Sequence, residues 1–349
     1  MTDYHEHMEM NDAEQLRLQT DIRRALLEEA AVPDAHQEFL KFKHAHTPRM
    51  WNRSLMAALA TAACVLAVVL IAKRLPSSSK GSESLTVYAG NTVSEKEVSI
   101  VVGGEAVALT TPKAKAHGVS IDNSGEVHIS PSTPVADEDR ATLLVPQGRV
   151  ARLMLSDGTR VWLSADSRLV FPSRFLSNGP REVALVGEGY FEVARDEARP
   201  FVVNCGSMQT TVLGTAFNVR NFETEPTEVM LLKGTVSVST ARGDSLLLVP
   251  GRAASLGSDG TLSVSDADAD VVTSWMRGEF YFDGQTLREI MIAIGRWYNK
   301  SVVFSGTQHL DDRLHFSSER TLPLSEIIRQ LNDISNVQIA IEDDVLRVY

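Results

Sequence analysis

The chain has 349 residues, more than one average domain, so two or three domains are expected. Hydrophobic residues make up 43% and charged residues 23%, ordinary globular proportions, so any membrane signal must come from a single segment. The net charge of −11 argues against bulk nucleic-acid binding, which needs a basic face, and Cys64 and Cys205 are too few and too far apart for a disulfide framework.

Residues 1–53 carry 7 Lys/Arg against 10 Asp/Glu. The opening MTDYHEHMEM is polar. His5 and His7, and later His44 and His46, lack neighbouring cysteines or an ordered scaffold, so no metal is assigned to them. From Asp12 to Ala31 the composition is helical, with Leu18, Ile22 and Leu26 at i, i+4 steps along one face. Pro33-Asp34 interrupts the pattern, and Phe39, Leu40 and Phe42 mark a second short helix. Two such helices cannot bury a core between them, so their apolar faces need a partner chain or the membrane surface.

Leu55 to Ala72, LMAALATAACVLAVVLIA, contains no charge, Pro or Gly. At ~1.5 Å per residue it spans about 27 Å as a helix, close to the ~30 Å hydrocarbon core of a bilayer. Arg49, Trp51 and Arg53 flank one end and Lys73 and Arg74 the other, the places for an aromatic belt and snorkelling cations. The run begins after 54 residues, which marks a signal anchor and not a cleaved leader. Lys41, Lys43, Arg49 and Arg53 before it, against Lys73, Arg74 and Lys80 after it, give a weak bias toward a cytoplasmic N-terminus. A transmembrane helix over 54–74 and a flexible spacer over 75–84 are therefore predicted.

Residues 85–265 are rich in Val, Thr, Ser and Gly, with turn signals every 8–12 residues, which predicts an all-β domain. In ARLMLSDGTRVWL a three-residue loop, Ser156-Asp157-Gly158, pairs Leu153 with Val161 and Ala151 with Leu163, leaving one face apolar. Gly158 is then left-handed in a type I turn with a bulge. In REVALVGEGYFEV, Val183, Leu185, Phe191 and Val193 face one way. Gly187 and Gly189 read as points of close backbone approach, since a phosphate loop would need a following helix. The acidic SDADADVV at 265–272 reads as a linker, without the Gly or closing Glu of a calcium loop.

Residues 275–349 contain a repeat. TLREIMIAIGRWYNKSVVF from Thr286 aligns with PLSEIIRQLNDISNVQIAI from Pro323, 37 residues later. Leu287, Ile290, Met291, Ile294 and Tyr298 form one helical stripe, and Leu324, Ile327, Ile328, Leu331 and Ile334 the other. Thr286 and Glu289 form a capping box. Short strands precede each helix, at Phe280 and Phe282 and at Leu314 and Phe316. The unit is a duplicated strand–helix–strand of α+β type.

VPQGRVARLMLSDGTRVWLSADSRLVFPSRF, REVALVGEGYFEVARDEARPFVV, VLGTAFNVRNF and VMLLKGTVSVS occur in the order of the motifs of the FecR-type domain, over roughly residues 140–265. The chain resembles FecR-family transmembrane sigma-factor regulators of the kind abundant in Bacteroidota. WMRGEFYFDGQTLREIMIAIGRWYNKSVVF and the residues C-terminal to it resemble their C-terminal domain, akin to the short N-terminal domain of secretins and TonB-dependent transporters. The resemblance implies a single-pass inner-membrane protein with a cytoplasmic N-terminus and its bulk in the periplasm. It further implies that the N-terminal segment binds an extracytoplasmic-function sigma factor, while the periplasmic part receives a signal from a TonB-dependent outer-membrane transporter. Release by a membrane protease then switches on transport genes. Two departures stand out: residues 1–53 are shorter than the sigma-binding domain of many relatives, and residues 85–140 match poorly and look like extra strands.

There is no P-loop, Gly-x-Ser-x-Gly, zinc-protease motif or Cys-x-x-Cys, so no enzyme and no cofactor are expected. The expected architecture is a short helical segment (1–53), one transmembrane helix (54–74), a spacer (75–84), an all-β FecR-type domain (85–265) and an α+β domain (275–349). The expected partners are the sigma factor, the transporter's signalling domain, membrane lipid and a protease, with no direct nucleic-acid contact. The sigma contact is assigned to Leu18, Ile22, Leu26, Phe39 and Phe42. The alternative is a membrane-anchored periplasmic scaffold sensing carbohydrate or cell-wall ligands through its β domain.

Overall fold

The computed structural model describes residues 84–90, 97–102, 105–110, 119–122, 125–129, 140–257 and 259–349. The expected sigma contacts Leu18, Ile22, Leu26, Phe39 and Phe42, the apolar run Leu55–Ala72 and nearly all of the spacer lie outside the described residues. Among the described residues no helix is long and apolar enough to cross a membrane. The fold is mostly β, with few helices.

The first strand, β1 (Leu85–Tyr88), does not join the strands next to it in sequence. The β domain begins at β2 (Ser99–Val102) and continues through β3 (Glu105–Ala108), β4 (Val119–Ile121), β5 (Glu126–Ile129) and β6 (Arg140–Val145). Then come β7 (Ala151–Met154), β8 (Arg160–Leu163), β9 (Ser167–Pro172) and the long β10 (Arg181–Glu192). It is completed by β11 (Phe201–Asn204), β12 (Met208–Val212), β13 (Ala216–Asn221) and β14 (Thr227–Lys233). Last are β15 (Val236–Thr240), β16 (Ser245–Leu248), β17 (Arg252–Leu256) and β18 (Leu262–Asp266). One face is ordered β3-β2-β6-β9-β10-β11-β12-β15-β16 and the other β4-β5-β7-β8-β10-β13-β14-β17-β18. The two faces share β10, which closes the domain as a flattened barrel around one apolar core.

β10 changes faces at Gly187. Residues 181–186 pair with β9 and β11, and residues 187–192 with β8 and β13. Gly187 has φ +102°, and a Cβ there would lie 2.3 Å from Ser167 Oγ and 2.6 Å from Ser167 Cα. Only glycine lets the strand cross so close to its neighbour. Val183, Leu185 and Phe191 all reach the core, where Phe191 stacks on Phe217 at 5.2 Å.

The β7–β8 hairpin has the expected register, Ala151 opposite Leu163 and Leu153 opposite Val161. Leu155 N–H donates to Thr159 at 2.9 Å around a three-residue loop, and Gly158 sits at φ +85°. Asp157, at the loop tip, accepts from Thr159 N–H at 3.0 Å and from Thr159 Oγ1 at 2.7 Å. The Arg181 guanidinium, fully buried at the start of β10, donates to Asp157 at 2.6 Å, Ala194 O at 2.8 Å and Arg199 O at 2.9 Å.

Residues 265–272 are not a plain linker. They finish β18 and start a short helix, α1 (Ala269–Thr273), whose N-cap Asp268 accepts from Asp270 N–H at 2.7 Å. A 3-10 turn, Ser274–Arg277, then leads into the C-terminal module. The module contains β19 (Glu279–Thr286), α2 (Leu287–Tyr298) and β20 (Ser301–Phe304), then β21 (Arg313–Glu319), α3 (Leu324–Ile334) and β22 (Ile339–Glu342), and ends on β23 (Val345–Val348). Strand–helix–strand thus occurs twice, and β19 pairs with β21 with Phe282 opposite Phe316. The Thr286–Glu289 capping box is formed in both directions. Both helices turn their stripes to one core, except that Ile334, at the end of α3, is 50% exposed.

The other sheet is ordered β1-β20-β23-β22. β1 therefore belongs to this module and not to the β domain that its sequence position suggested. Val87 and Tyr88 are buried in the C-terminal core, and Gly90 N–H donates to Ser301 Oγ at 3.0 Å. The chain enters the C-terminal module first, leaves to build the β domain, and returns.

A charged junction as the candidate functional site

The two apolar cores are separate, and charged and aromatic side chains gather where the modules meet. From the β domain come Glu188 on β10, Asn218 and Arg220 on β13, and Phe222 and Glu225 from the β13–β14 turn. From the C-terminal module come Arg296 and Trp297 on α2, Arg320 after β21, and Trp275 in the 3-10 turn.

Glu225 holds the junction together. Its two carboxylate oxygens accept from Arg220 and from Arg296, one guanidinium of each module. The Arg296 guanidinium lies 3.4 Å from the centroid of Phe222 and 5.6 Å from that of Tyr88, so two aromatic faces enclose it. Burial works to raise the Glu225 carboxyl, but Arg220 and Arg296 outweigh it and hold the group below the ordinary glutamate range. Close packing continues at the turn after β6, where a Cβ on Gly148 would meet Trp297 O at 3.2 Å.

Glu188 shifts the other way. It is partly buried and receives Asn218 Nδ2–H at 3.2 Å, and loss of hydration raises its carboxyl despite Arg220, Arg320 and Arg296 nearby. Arg320 has no carboxylate within ion-pair distance among the described residues. Its Nε donates to Glu279 O at 3.0 Å, and its guanidinium packs 4.6 Å from the Phe280 centroid and 4.9 Å from that of Trp297. Burial lowers it to about 10. Tyr88, beside Arg296, is pushed up to about 12 by burial and by the Asp166 carboxylate.

These groups can clamp two modules and accept hydrogen bonds or charge, but they form no nucleophile–base pair. Cys205 is buried, which pushes its thiol up to about 12 and leaves it unreactive. Asp122, Glu126 and His128 place ligand atoms within 4.8 Å of one another and could together face a metal. His128 Nε2 already lies 3.0 Å from Asp122, and Arg160 Nε lies 3.8 Å from Glu126.

The sequence reading missed the junction. Its members stand at outward strand positions, in turns or, for Arg296 and Trp297, in the last turn of α2, where charge normally means a solvated face. The signal it could have used is Arg296, a cation just past the apolar IMIAIG run and directly before Trp297 and Tyr298. The five residues expected to contact a sigma factor lie outside the described residues.

Residues 141–237 match the family described as FecR protein, and residues 279–348 match that described as FecR, C-terminal. No curated protein matches the chain. Two crystal structures of a candidate anti-sigma factor from Parabacteroides distasonis ATCC 8503, at 1.65 and 2.50 Å resolution, are similar in fold. They share 26% and 25% identity with this chain, cover 60% of it and 98% of their own length, and each gives a TM-score of 0.55. The chain thus carries both FecR regions in order, and its fold is similar to that of a candidate anti-sigma factor.

Proposed function

We propose that this protein is a membrane-anchored anti-sigma regulator that carries a signal from the periplasm to transcription. Residues 1–53 hold an extracytoplasmic-function sigma factor through Leu18, Ile22, Leu26, Phe39 and Phe42. Leu55–Ala72 crosses the inner membrane. The β domain, from β2 to β18, and the α+β module, with β1 as one of its strands, face the periplasm and receive the signalling domain of a TonB-dependent transporter. An apolar single helix has little means of relaying shape, so regulated proteolysis near it frees the sigma factor. The observation that carries this reading is the ordered pair of FecR regions together with the likeness to a candidate anti-sigma factor.

Deleting residues 1–53 on the chromosome tests it. The expected result is a changed transcript level for one coherent set of genes, including a transporter, that depends on a single sigma factor. Transcript levels identical to those of the parent strain overturn the reading.

A further inference from the structure

Away from the junction, the outward face of the β4–β5 hairpin gathers an imidazole and two carboxylates. Ser120 pairs with His128 and Ile121 with Val127, and Val127 points into the core. Strand alternation therefore turns Glu126 and His128 outward together, and the hairpin turn brings Asp122 to them. Asp122, Glu126 and His128 each offer one ligand atom, all within 4.8 Å of one another. His128 Nε2 lies 3.0 Å from Asp122 Oδ2 and 3.7 Å from Glu126 Oε2. A tetrahedral ion with bonds of ~2.0–2.2 Å needs its ligand atoms about 3.4 Å apart, so small side-chain rotations complete the set.

The far oxygen of each carboxylate is already held. Asp122 Oδ1 accepts from Glu126 N–H at 3.0 Å, and Glu126 Oε1 faces Arg160 Nε at 3.8 Å. Oδ2 and Oε2 are left toward His128, the way outer contacts orient ligands around a metal. Glu126 supplies a separate sign. It is only 9% exposed, yet among the described residues no group donates a hydrogen bond to its carboxylate. Its nearest cationic atoms, at 3.7 and 3.8 Å, stand beyond hydrogen-bond reach. A carboxylate buried in this way is costly, and a cation set between it and its neighbours removes the cost. The site is reachable, since the side chains of His128 and Asp122 are 25% and 41% exposed. Two carboxylates neutralise a divalent ion, so Arg160 would face a set with no net charge.

We infer that Asp122, Glu126 and His128 bind a divalent transition-metal ion of the zinc type through Oδ2, Oε2 and Nε2. One imidazole with two carboxylates suits that class over magnesium or calcium, which take oxygen ligands. The ion replaces the proton of the His128–Asp122 hydrogen bond and staples β4 to β5. Three protein ligands leave a fourth position to water. The hairpin precedes residues 141–237, the first FecR region, so the site lies outside both family regions. Neither the sigma factor nor the transporter proposed above is needed for this binding.

The test uses the full-length protein in detergent, stripped of metal with EDTA, and follows hydrogen exchange by mass spectrometry as zinc chloride is added. This readout separates the hairpin from His5, His7, His44 and His46, which can take up zinc elsewhere in the chain. At ten times the zinc concentration that gives half the effect, peptides from residues 119–129 should exchange about tenfold more slowly, by mass action on local opening. H128Q and E126Q should each abolish that slowing while β10 stays protected. H309Q, which removes a His–carboxylate pair in the C-terminal module, should keep it. E126Q serves if H128Q does not fold. Zinc that leaves residues 119–129 unprotected, or protection that survives in folded H128Q or E126Q, overturns the inference. Magnesium or calcium chloride protecting the hairpin as well as zinc overturns the part given to the imidazole.

Discussion

Two glutamates in the same junction respond oppositely to losing their charge. Glu225→Gln leaves Arg220 and Arg296 without the carboxylate they share. The Arg296 side chain is 7% exposed and Glu225 10%, so this is a buried pair, and removing one partner of such a pair costs roughly 3–5 kcal/mol. Arg220 is 32% exposed and contributes less, and Gln keeps one acceptor, so about 3 kcal/mol is expected. Glu188→Gln removes a carboxyl that burial already pushes toward neutrality, and should change stability by less than about 1 kcal/mol at pH 7. The pH dependence separates them further. Glu225 is held below its ordinary 4.5, so its contribution is present above that pH and lost as pH falls through its folded value. The gap between wild type and E225Q should therefore close on acidification below about 4.5. Glu188 is raised above 4.5, so wild type loses stability relative to E188Q as pH rises from there toward neutral. Urea unfolding of the full-length protein, followed by tryptophan fluorescence from about pH 2.5 to 8, reads both. The reasoning fails if E225Q costs under about 1 kcal/mol, or if the two variants show the same pH course.

Other consequences can be checked alongside. Asp157→Ala strands the fully buried Arg181 and should cost about 3–5 kcal/mol, whereas Arg195→Ala, in a pair 66% and 60% exposed, should cost under about 0.5 kcal/mol; thermal melts compare them directly. Gly187→Ala drives a Cβ into Ser167 at the β10 crossing and should cost at least about 2 kcal/mol. Gly158→Ala shares the positive φ but meets open space, and should cost about 1 kcal/mol in the same assay. Val87→Asp buries a charge in β1 and should speed hydrogen exchange in β20 and β23 while leaving β10 protected; equal loss in both modules would contradict the pairing of β1.

Local features were legible in the sequence because local chemistry sets them. The SDG loop determines the β7–β8 register, since only a three-residue connection keeps Ala151, Leu153, Val161 and Leu163 on one face. Thr286 and Glu289 announce the start of α2, and the 37-residue repeat reappears as two strand–helix–strand units. The features that escaped depend on distance along the chain. β1 pairs with β20 more than 200 residues later, and nothing in LTVY distinguishes that partner from β2. SDADADVV looked like a linker because its aspartates carry no apolar period, yet Asp268 uses that composition to cap α1. The junction gathers Glu188, Arg220, Glu225, Arg296 and Arg320 from five places, and ion pairs between distant charges leave no periodic trace.

The central claim concerns residues 1–53 and their partner. Membranes from cells producing the full-length chain, or a chain lacking residues 1–53, can be sedimented and probed for sigma factors by mass spectrometry. The account predicts that one extracytoplasmic-function sigma factor sediments with the full-length chain, and that it stays soluble when residues 1–53 are removed or when Leu18, Ile22 and Leu26 are changed to Asp. A sigma factor found equally in all of these membrane fractions, or in none, would contradict it.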